Sequence, residues 1–335
     1  MSSSGSQGTA AKDVELSVIS PVFNESANLD PLVQRLLPVL MRCVESFEII
    51  FVDDGSTDDT LKRLRAANRR DVRIRALSLS RNFGKEVAIA AGLDHASGAA
   101  TVIMDADLQH PPELIEIFVA RWREGYKNVF AQPIDRTIYS PLRRILTHRF
   151  YKFLGSVGDT RLPERAGDFR LLDRQAVVAL QKMREHARFS KGLYAWIGFK
   201  SIAVPFDAAP RLYGKTKFSY RRLTHLALDG LMSFSTLPLR VWSYVGLATS
   251  MLALTLATFF LTRTLIFGVD VPGYASLIVS ITFFAGIQLL SLGVIGEYVG
   301  RIFAEVKRRP LYLIEDHVGF GALAEDDSIA KPPSG

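Results

Sequence analysis

Two long apolar stretches near the carboxyl end constrain this chain more than any other feature of its sequence. The first runs from Val241 to Thr262, the second runs from Gly273 to Ile295, and neither contains a charged residue. A helix needs about 20 predominantly apolar residues to cross the hydrocarbon core of a bilayer. We therefore predict two transmembrane helices, joined by a short connection as a hairpin. Two buried helices of a soluble core are the alternative.

The basic residues around this hairpin concentrate on its two outer flanks. They are Arg221, Arg222 and Arg240 before the first stretch, and Arg301, Lys307, Arg308 and Arg309 after the second. The connection carries only Arg263. Because basic residues accumulate on the cytoplasmic side of a membrane, we predict a multi-pass protein of the inner (plasma) membrane. The large preceding domain and both termini are then cytoplasmic.

Two basic amphipathic stretches precede the hairpin, at about residues 136–154 and 218–235. Their apolar residues fall on one helical face and their basic residues largely elsewhere, which is typical of helices that lie in the headgroup region. Ordinary surface helices are the alternative for both. We therefore expect a catalytic domain over residues 14–235 that includes them, a hairpin over 236–300 and a cytoplasmic tail over 301–335.

The overall charge indicates an anionic partner. The formal net charge is +7, and nucleic acid, anionic lipid headgroups or phosphorylated substrates would each satisfy it. Residues 1–13 are polar and lack the apolar core of a signal peptide, so we interpret them as a disordered lead-in. The single cysteine, Cys43, excludes an internal disulfide bond and a multi-cysteine metal site.

Apolar runs alternate with helical patterns between residue 14 and about residue 132. The runs are apolar almost throughout, as in VELSVISPVF, FEIIFVDD and ATVIMDAD, which is typical of strands that are covered on both faces. Strands of this kind separated by helices predict an α/β fold with a mostly parallel sheet. Ligands of such sheets bind outside the carboxyl ends of the strands.

Two of these predicted strands end in pairs of carboxylates. Asp53 and Asp54 close the second run, and Asp105 and Asp107 close the fourth, with Gln109 two residues later. Unpaired buried charge is costly, so two acidic ends at one sheet edge predict a ligand site. Oxygen ligands of this kind suit Mg²⁺ or Mn²⁺ bound to phosphates. The motifs of dinucleotide-binding folds (GxGxxG) and of P-loops (GxxxxGK[ST]) are absent.

Six blocks of sequence, in order, resemble glycosyltransferase family 2, and within it the polyprenyl-phosphate glycosyltransferases. That group includes dolichyl-phosphate mannose synthases and bacterial bactoprenol glucosyltransferases. The resemblance covers about residues 14–320. The blocks are PVFNE (Pro21–Glu25), VDDGSTD (Val52–Asp58), RNFGKE (Arg81–Glu86), DADLQHPPE (Asp105–Glu113), GDFRLLDR (Gly167–Arg174) and YGKTKFS (Tyr213–Ser219).

The resemblance implies a GT-A (Rossmann-like) catalytic domain that transfers a hexose from a nucleotide sugar to polyprenyl (undecaprenyl) phosphate with inversion. It implies contacts to the base and ribose from Pro21, Phe23, Glu25 and Asp54. It further implies that Asp105, Ala106 and Asp107 hold the nucleotide and the metal, with Gln109 completing the metal coordination. Arg211 and Lys217 match the basic pair that contacts phosphates in this family. A homo-oligomer, as a tetramer for example, is implied in the same way.

Two assignments stay open at this point. Asp168 matches an acidic residue suggested as a base, but a phosphate acceptor with a second pKa of about 6 hardly needs deprotonation. Asp168 could instead orient the sugar hydroxyls, the acceptor or Arg170, which we also count among the ligand-binding residues. Relatives carry an arginine where this chain has Gln132 and Pro133. Arg136 is the next candidate for the acceptor phosphate, with Arg143 or Arg144 as substitutes.

Other functions fit the sequence less well. A processive polysaccharide synthase would carry QxxRW, but Phe118 stands where the glutamine would precede Arg121 and Trp122. A non-catalytic membrane scaffold would have no need of the filled acidic and basic motif positions. We expect no nucleic acid partner. UDP-glucose is the favoured donor, while UDP-galactose, UDP-N-acetylglucosamine and GDP-mannose stay open.

Overall fold

The computed structural model describes residues 14–134, 167–186, 188, 190–206, 237–267 and 273–320. The chain divides into two compact units. One contains a mixed sheet with its helices, and the other contains two long helices. The stretches predicted as interfacial helices, 136–154 and 218–235, lie outside the described residues, as does the predicted lead-in over 1–13.

The first unit is built on an eight-stranded sheet in the order β7-β5-β6-β4-β1-β2-β3-β8. Its strands are β1 (Leu16–Val22), β2 (Phe47–Asp53), β3 (Ile74–Leu79), β4 (Ala100–Ile103), β5 (Asn128–Pro133), β6 (Arg170–Asp173), β7 (Ser201–Phe206) and β8 (Ile314–Val318). Its helices are α1 (Ser26–Cys43), α2 (Thr60–Arg70), α3 (Lys85–His95), α4 (Leu114–Arg123), α5 (Arg174–Gln181) and α6 (Ser190–Trp196).

The predicted mostly parallel α/β sheet is confirmed. Strand β1 pairs in parallel with β2 and β4, β2 pairs in parallel with β3, and β5 pairs in parallel with β7. Consecutive residues of β2, such as Ile49, Ile50 and Phe51, are fully buried. Because neighbouring residues of a strand point to opposite faces, both faces of β2 are covered. Strands β6 and β8 are antiparallel to their neighbours.

The register brings the ends of β2 and β4 to opposite sides of β1. Val22 at the end of β1 pairs with Asp53 of β2, and Ile19 of β1 pairs with Ile103 at the end of β4. The backbone then continues the alignment, since the amide of Asp54 donates to the carbonyl of Val22 at 2.9 Å. The two acidic strand ends therefore flank one strand at one edge of the sheet.

Strand β8 lies in the stretch that was predicted as a cytoplasmic tail. It follows the long helices in sequence, yet it pairs antiparallel with β3, with Ser78 opposite Asp316. A salt bridge of 2.6 Å joins Arg65 of α2 to Asp316, and the hydroxyl of Tyr312 donates to Asp94 of α3 at 2.7 Å. The last part of the chain thus completes the sheet and covers the edge of β3.

The second unit contains α7 (Leu237–Phe267) and α8 (Tyr274–Val306). Within the described residues, one helical stretch, Phe283–Val306, is long and apolar enough to cross a membrane. The apolar stretch of α7, Val241–Leu256, is shorter. The predicted hairpin of two spanning helices, 241–262 and 273–295, is therefore not confirmed, and the span at 241–262 stays a prediction.

Candidate active site

The first acidic end, after β2, holds its carboxylates inside the protein. Asp53 is 1% exposed and Asp54 is 4% exposed. The Asp54 carboxylate accepts two backbone hydrogen bonds, one from Phe83 at 2.7 Å and one from Gly84 at 2.9 Å, each on a different oxygen. Burial raises the pKa of Asp54, and these two amides oppose the rise. Asp54 thereby fixes the loop that leads into α3.

Both carboxylate oxygens of Asp53 also have hydrogen-bond partners in neighbouring loops and strands. One carboxylate oxygen accepts the backbone N–H of Ser56 at 3.1 Å, and the other lies 3.5 Å from the Ser78 hydroxyl. Burial raises the pKa of Asp53. The backbone of Gly55 approaches the same loop closely: its φ is +70°, and a Cβ there would lie 2.5 Å from the carbonyl carbon of Arg81. Glycine is therefore required at this turn.

The residues expected to contact the base and ribose lie beside this end. Pro21 is the next-to-last residue of β1 and is partly exposed. Phe23 is exposed, and Glu25 immediately precedes α1, where its carboxylate accepts from the side-chain amide of Asn28. The pairing of β1 with β2 brings this segment beside Asp54, whose backbone N–H donates to the carbonyl of Val22. The exposed Phe23 side chain makes it a surface that a ligand can reach.

The second acidic end, after β4, presents its carboxylates to solvent. Asp105 and Asp107 are partly exposed and alternate with Ala106, which is buried. Asp107 accepts the backbone N–H of Gln109 at 3.1 Å, which closes a tight turn. Alternation of this kind directs both carboxylates outward from the same short segment. The predicted ligand-binding residues of this segment therefore share one exposed surface.

Lys85, the first residue of α3, joins this end to Asp168. Its Nζ lies 2.8 Å from the carboxylate of Asp105 and 2.8 Å from that of Asp168. Lys191 approaches Asp168 from another side, at 3.6 Å. Burial alone would raise the pKa of Asp168, but Lys85 and Lys191 outweigh it and hold that pKa well below its usual range. Asp168 is therefore ionised at neutral pH.

Arg170, predicted as a ligand-binding residue, is buried. Its guanidinium lies 3.7 Å from the ring centroid of Tyr194 and donates to the carbonyl of Gly167 at 2.7 Å. Burial lowers the pKa of Arg170. Its Nε has no hydrogen-bond partner within the described structure. In this arrangement Arg170 supports the segment that carries Asp168, and direct contact with the nucleotide stays a prediction.

Lys85 is not among the site residues predicted from the sequence, although it lies within the block RNFGKE. A positive charge at a helix amino end opposes the helix dipole, so a lysine as the first residue of α3 is a signal that acidic partners are near. The predicted phosphate-binding residues Arg136, Arg211 and Lys217 lie outside the described residues. Their roles stay predictions.

Comparison with known proteins identifies the family. The sequence model described as Glycosyl transferase family 2 matches residues 17–180. An uncharacterized glycosyltransferase of Synechocystis sp. is 49% identical over 310 residues, which cover 92% of this chain and 98% of that protein. The chain belongs to glycosyl transferase family 2. The predicted resemblance and the GT-A type of catalytic domain are thereby confirmed, and the protein is a glycosyltransferase.

This glycosyltransferase is also similar to proteins whose names state an activity. The bactoprenol glucosyl transferase of Shigella phage SfII is 40% identical over 310 residues, covering 90% of this chain and 98% of that protein. A solved structure of glucosyl-3-phosphoglycerate synthase from Mycobacterium tuberculosis, in complex with Mn²⁺, UDP and phosphoglyceric acid, covers 65% of this chain and 76% of that chain. It has 19% identity and a TM-score of 0.43, a likeness too distant to inform any residue of the site.

The glycosyltransferase offers a donor set that fits a divalent metal bound through phosphates. No three His, Cys, Asp or Glu side chains converge as a metal site within the described residues. Mg²⁺ in proteins commonly uses one or two carboxylates, with water and substrate phosphates completing its shell. Asp105 and Asp107, with the amide oxygen of Gln109 close in sequence, match that incomplete set of hard oxygen ligands. The site therefore suits a metal that arrives with a nucleotide.

Proposed function

We propose that this chain transfers a hexose from a nucleotide sugar to polyprenyl phosphate, with inversion at the anomeric carbon. The observation that carries the proposal is the exposed edge where Asp105, Asp107, Lys85 and Asp168 meet. That edge lies at the carboxyl ends of the strands, where α/β sheets bind ligands. The names of relatives that cover almost the whole chain support bactoprenol phosphate, a polyprenyl phosphate, as the acceptor.

The donor nucleotide would bind along the ends of β1 and β4. Phe23 is an exposed aromatic side chain on which a base can stack, and Pro21 and Glu25 lie on the same connection. The diphosphate would then reach Asp105, Ala106 and Asp107. Asp54 would contribute mainly by holding the loop at 81–84, since both of its carboxylate oxygens already accept amide hydrogen bonds.

Departure of the nucleoside diphosphate requires positive charge near its phosphates. A divalent metal held by Asp105, Asp107 and Gln109 would act as a Lewis acid toward the diphosphate. Arg211 and Lys217 would add cationic charge to the leaving group. Fixed charges of this kind lower the barrier because they are oriented before the reaction begins.

An acceptor phosphate oxygen would attack the anomeric carbon from the face opposite the diphosphate. A new carbon–oxygen bond forms as the bond to the β-phosphate oxygen breaks, and the electron pair leaves with the diphosphate. The acceptor is largely dianionic near neutral pH, because its second pKa is about 6. Asp168, whose pKa is held well below its usual range, would orient groups in the site and would not need to accept a proton.

The acceptor explains why such an enzyme would need membrane segments. The isoprenoid tail of polyprenyl phosphate stays in the bilayer, so the reacting phosphate is accessible only at the membrane surface. Basic segments at 136–154 and 218–235 would attract anionic headgroups, and Arg136 would bind the acceptor phosphate. We place the enzyme at the inner membrane, with its active site in the cytoplasm.

A panel of labelled donors tests this function. Purified full-length protein in detergent is incubated with Mn²⁺ or Mg²⁺, undecaprenyl phosphate, and UDP-glucose, UDP-galactose, UDP-N-acetylglucosamine or GDP-mannose. We expect label to enter the lipid phase most rapidly with UDP-glucose, and only when undecaprenyl phosphate is present. Absence of labelled lipid with every donor would reject the proposal. A faster reaction with another donor would reject UDP-glucose alone.

A further inference from the structure

Lys85 lies where two separate parts of the active site meet. Its Nζ is 2.8 Å from Asp105, which follows β4, and 2.8 Å from Asp168, which precedes β6. These two carboxylates are 63 positions apart in the sequence. A single flexible side chain therefore links the predicted metal-binding segment to the segment that carries Asp168.

The backbone at the base of Lys85 is held firmly. The amides of Phe83 and Gly84, the two residues before it, both donate to Asp54. Gly84 has a φ of +99°, a conformation that favours glycine. Its carbonyl then accepts the amides of Val87 and Ala88 in the first turn of α3. The buried acidic end after β2 thus fixes the point from which Lys85 extends.

Fold stability does not account for this arrangement. The side chains of Lys85, Asp105 and Asp168 are 39%, 24% and 28% exposed, and salt bridges with such access to water contribute little to stability. The position also opposes the dipole of α3. An ion pair that is weak for stability, yet joins two motif segments at the reacting edge, points to a role in the reaction.

We propose that Lys85 is a positioning residue that holds Asp168 and Asp105 in one fixed arrangement during sugar transfer. Without its charge, the two carboxylates have no shared counter-ion and turn toward water. With the Lys85 charge present, Asp168 keeps one orientation toward the sugar and the acceptor. Asp105 keeps its orientation beside Asp107 at the predicted metal site. This inference rests on the proposed transfer reaction and assigns a role to a residue outside the predicted site.

The test compares Lys85→Gln with a matched control, Lys127→Gln. Lys127 is 32% exposed and lies 3.1 Å from Asp173, and Asp173 pairs with Ala100 at the opposite end of β4. We expect kcat for labelled lipid formation to fall by about tenfold to a hundredfold in K85Q, since small misplacements of reacting groups cost rates of this order. KM for the donor should change far less. K127Q should keep the wild-type kcat.

A double-mutant cycle separates positioning from a general structural effect. If Lys85 acts partly through Asp168, the losses in K85Q and D168N share one interaction, so the double variant should be clearly more active than the product of the two single losses would give. Losses that multiply would reject the proposal. Lys85→Arg retains the charge on a differently shaped group, and it should recover part of kcat. An arginine variant as slow as K85Q would also count against it.

Two measurements besides activity complete the test. The melting temperatures of K85Q and K127Q should agree, and calorimetry without metal should give K85Q nearly the wild-type affinity for UDP. A large loss of this metal-free UDP affinity in K85Q would make Lys85 a donor ligand and overturn the positioning role. Wild-type protein that labels no lipid would defeat the proposed function itself, whereas active wild type with unaffected K85Q would defeat only this inference.

Discussion

The two acidic strand ends of this glycosyltransferase look alike in sequence and differ in structure. After β2, Asp53 and Asp54 are buried, and their oxygens are occupied by amides and a hydroxyl of neighbouring loops. After β4, Asp105 and Asp107 are partly exposed, and Asp105 is paired with the flexible side chain of Lys85. The first end supports a loop, and the second is open to a ligand.

This difference separates two uses of the same residue type. A carboxylate saturated by backbone amides holds its surroundings in place, because each of those amides would otherwise lack a partner. A partly exposed carboxylate paired with one lysine keeps oxygen lone pairs available for a metal or a substrate. The two ends are also connected, since Asp54 fixes the loop from which Lys85 reaches Asp105. The buried end therefore helps to position a side chain of the exposed end.

The largest effect is expected at the exposed end. Asp107→Asn removes one negative charge from the metal-binding segment, and we expect kcat/KM for transfer to fall by at least about a hundredfold. The melting temperature should change little, because Asp107 is partly exposed. Asp30→Asn is the matched control, since Asp30 of α1 forms an exposed salt bridge with Arg63 of α2. Near-normal transfer by D107N would show that the Asp107 carboxylate is not needed for the reaction.

A smaller loss of activity is expected for Asp168→Asn, by about tenfold to a hundredfold in kcat. Lys85 and Lys191 hold the pKa of Asp168 well below its usual range. Asp168 therefore stays ionised from about pH 5 to 8, and the pH–rate profiles of wild type and variant should have the same shape. An acidic limb of unit slope in the wild type that disappears in D168N would instead identify Asp168 as a base.

At the buried end the expected effect is on stability. In Asp54→Asn, one of the two amides of Phe83 and Gly84 faces an NH₂ group in place of an oxygen. An unsatisfied buried donor costs about 1–3 kcal/mol, so the melting temperature should fall. Thermal unfolding in detergent measures this shift. An unchanged melting temperature together with weaker UDP binding would show that Asp54 acts on the nucleotide and not on the loop.

The smallest effect is expected for Asp53→Asn. Asparagine can still accept the Ser56 amide and can donate to the Ser78 hydroxyl, so the free energy of unfolding should change by less than about 1 kcal/mol. Burial raises the pKa of Asp53, so the folded state binds its proton more tightly than the unfolded state does. Wild-type stability relative to D53N should therefore decline as pH rises above about 4. A relative gain over that range would contradict this.

Sequence patterns predicted the central fold because its strands carry continuous apolar runs. Strands β1 and β2 were predicted on that basis, and both are buried throughout apart from Pro21. Strands β6 and β8 have only four and five residues, RLLD and IEDHV, without such a run. Their conformation depends on pairing with β4 and β3, which are distant in sequence, so local propensity does not reveal them.

The site was predictable in its residue types and not in its pairing. Motif position identified Asp54, Asp105 and Asp168 together as site residues. It did not separate the buried Asp54 from the exposed Asp105, because burial depends on where the loop at 81–84 lies. The role of Lys85 depends on two carboxylates that the fold brings to one point. The sequence separation between Asp105 and Asp168 does not predict that they lie close together in the fold.

Metal-dependent binding of UDP to the wild type, D107N and D54N tests the contrast between the two ends most directly. Isothermal titration with UDP, with and without Mn²⁺, gives each affinity in the absence of chemistry. We predict that Mn²⁺ strengthens binding to the wild type and to folded D54N, and that this strengthening is lost in D107N at an unchanged melting temperature. Metal-dependent binding that persists in D107N and disappears in D54N would contradict the account.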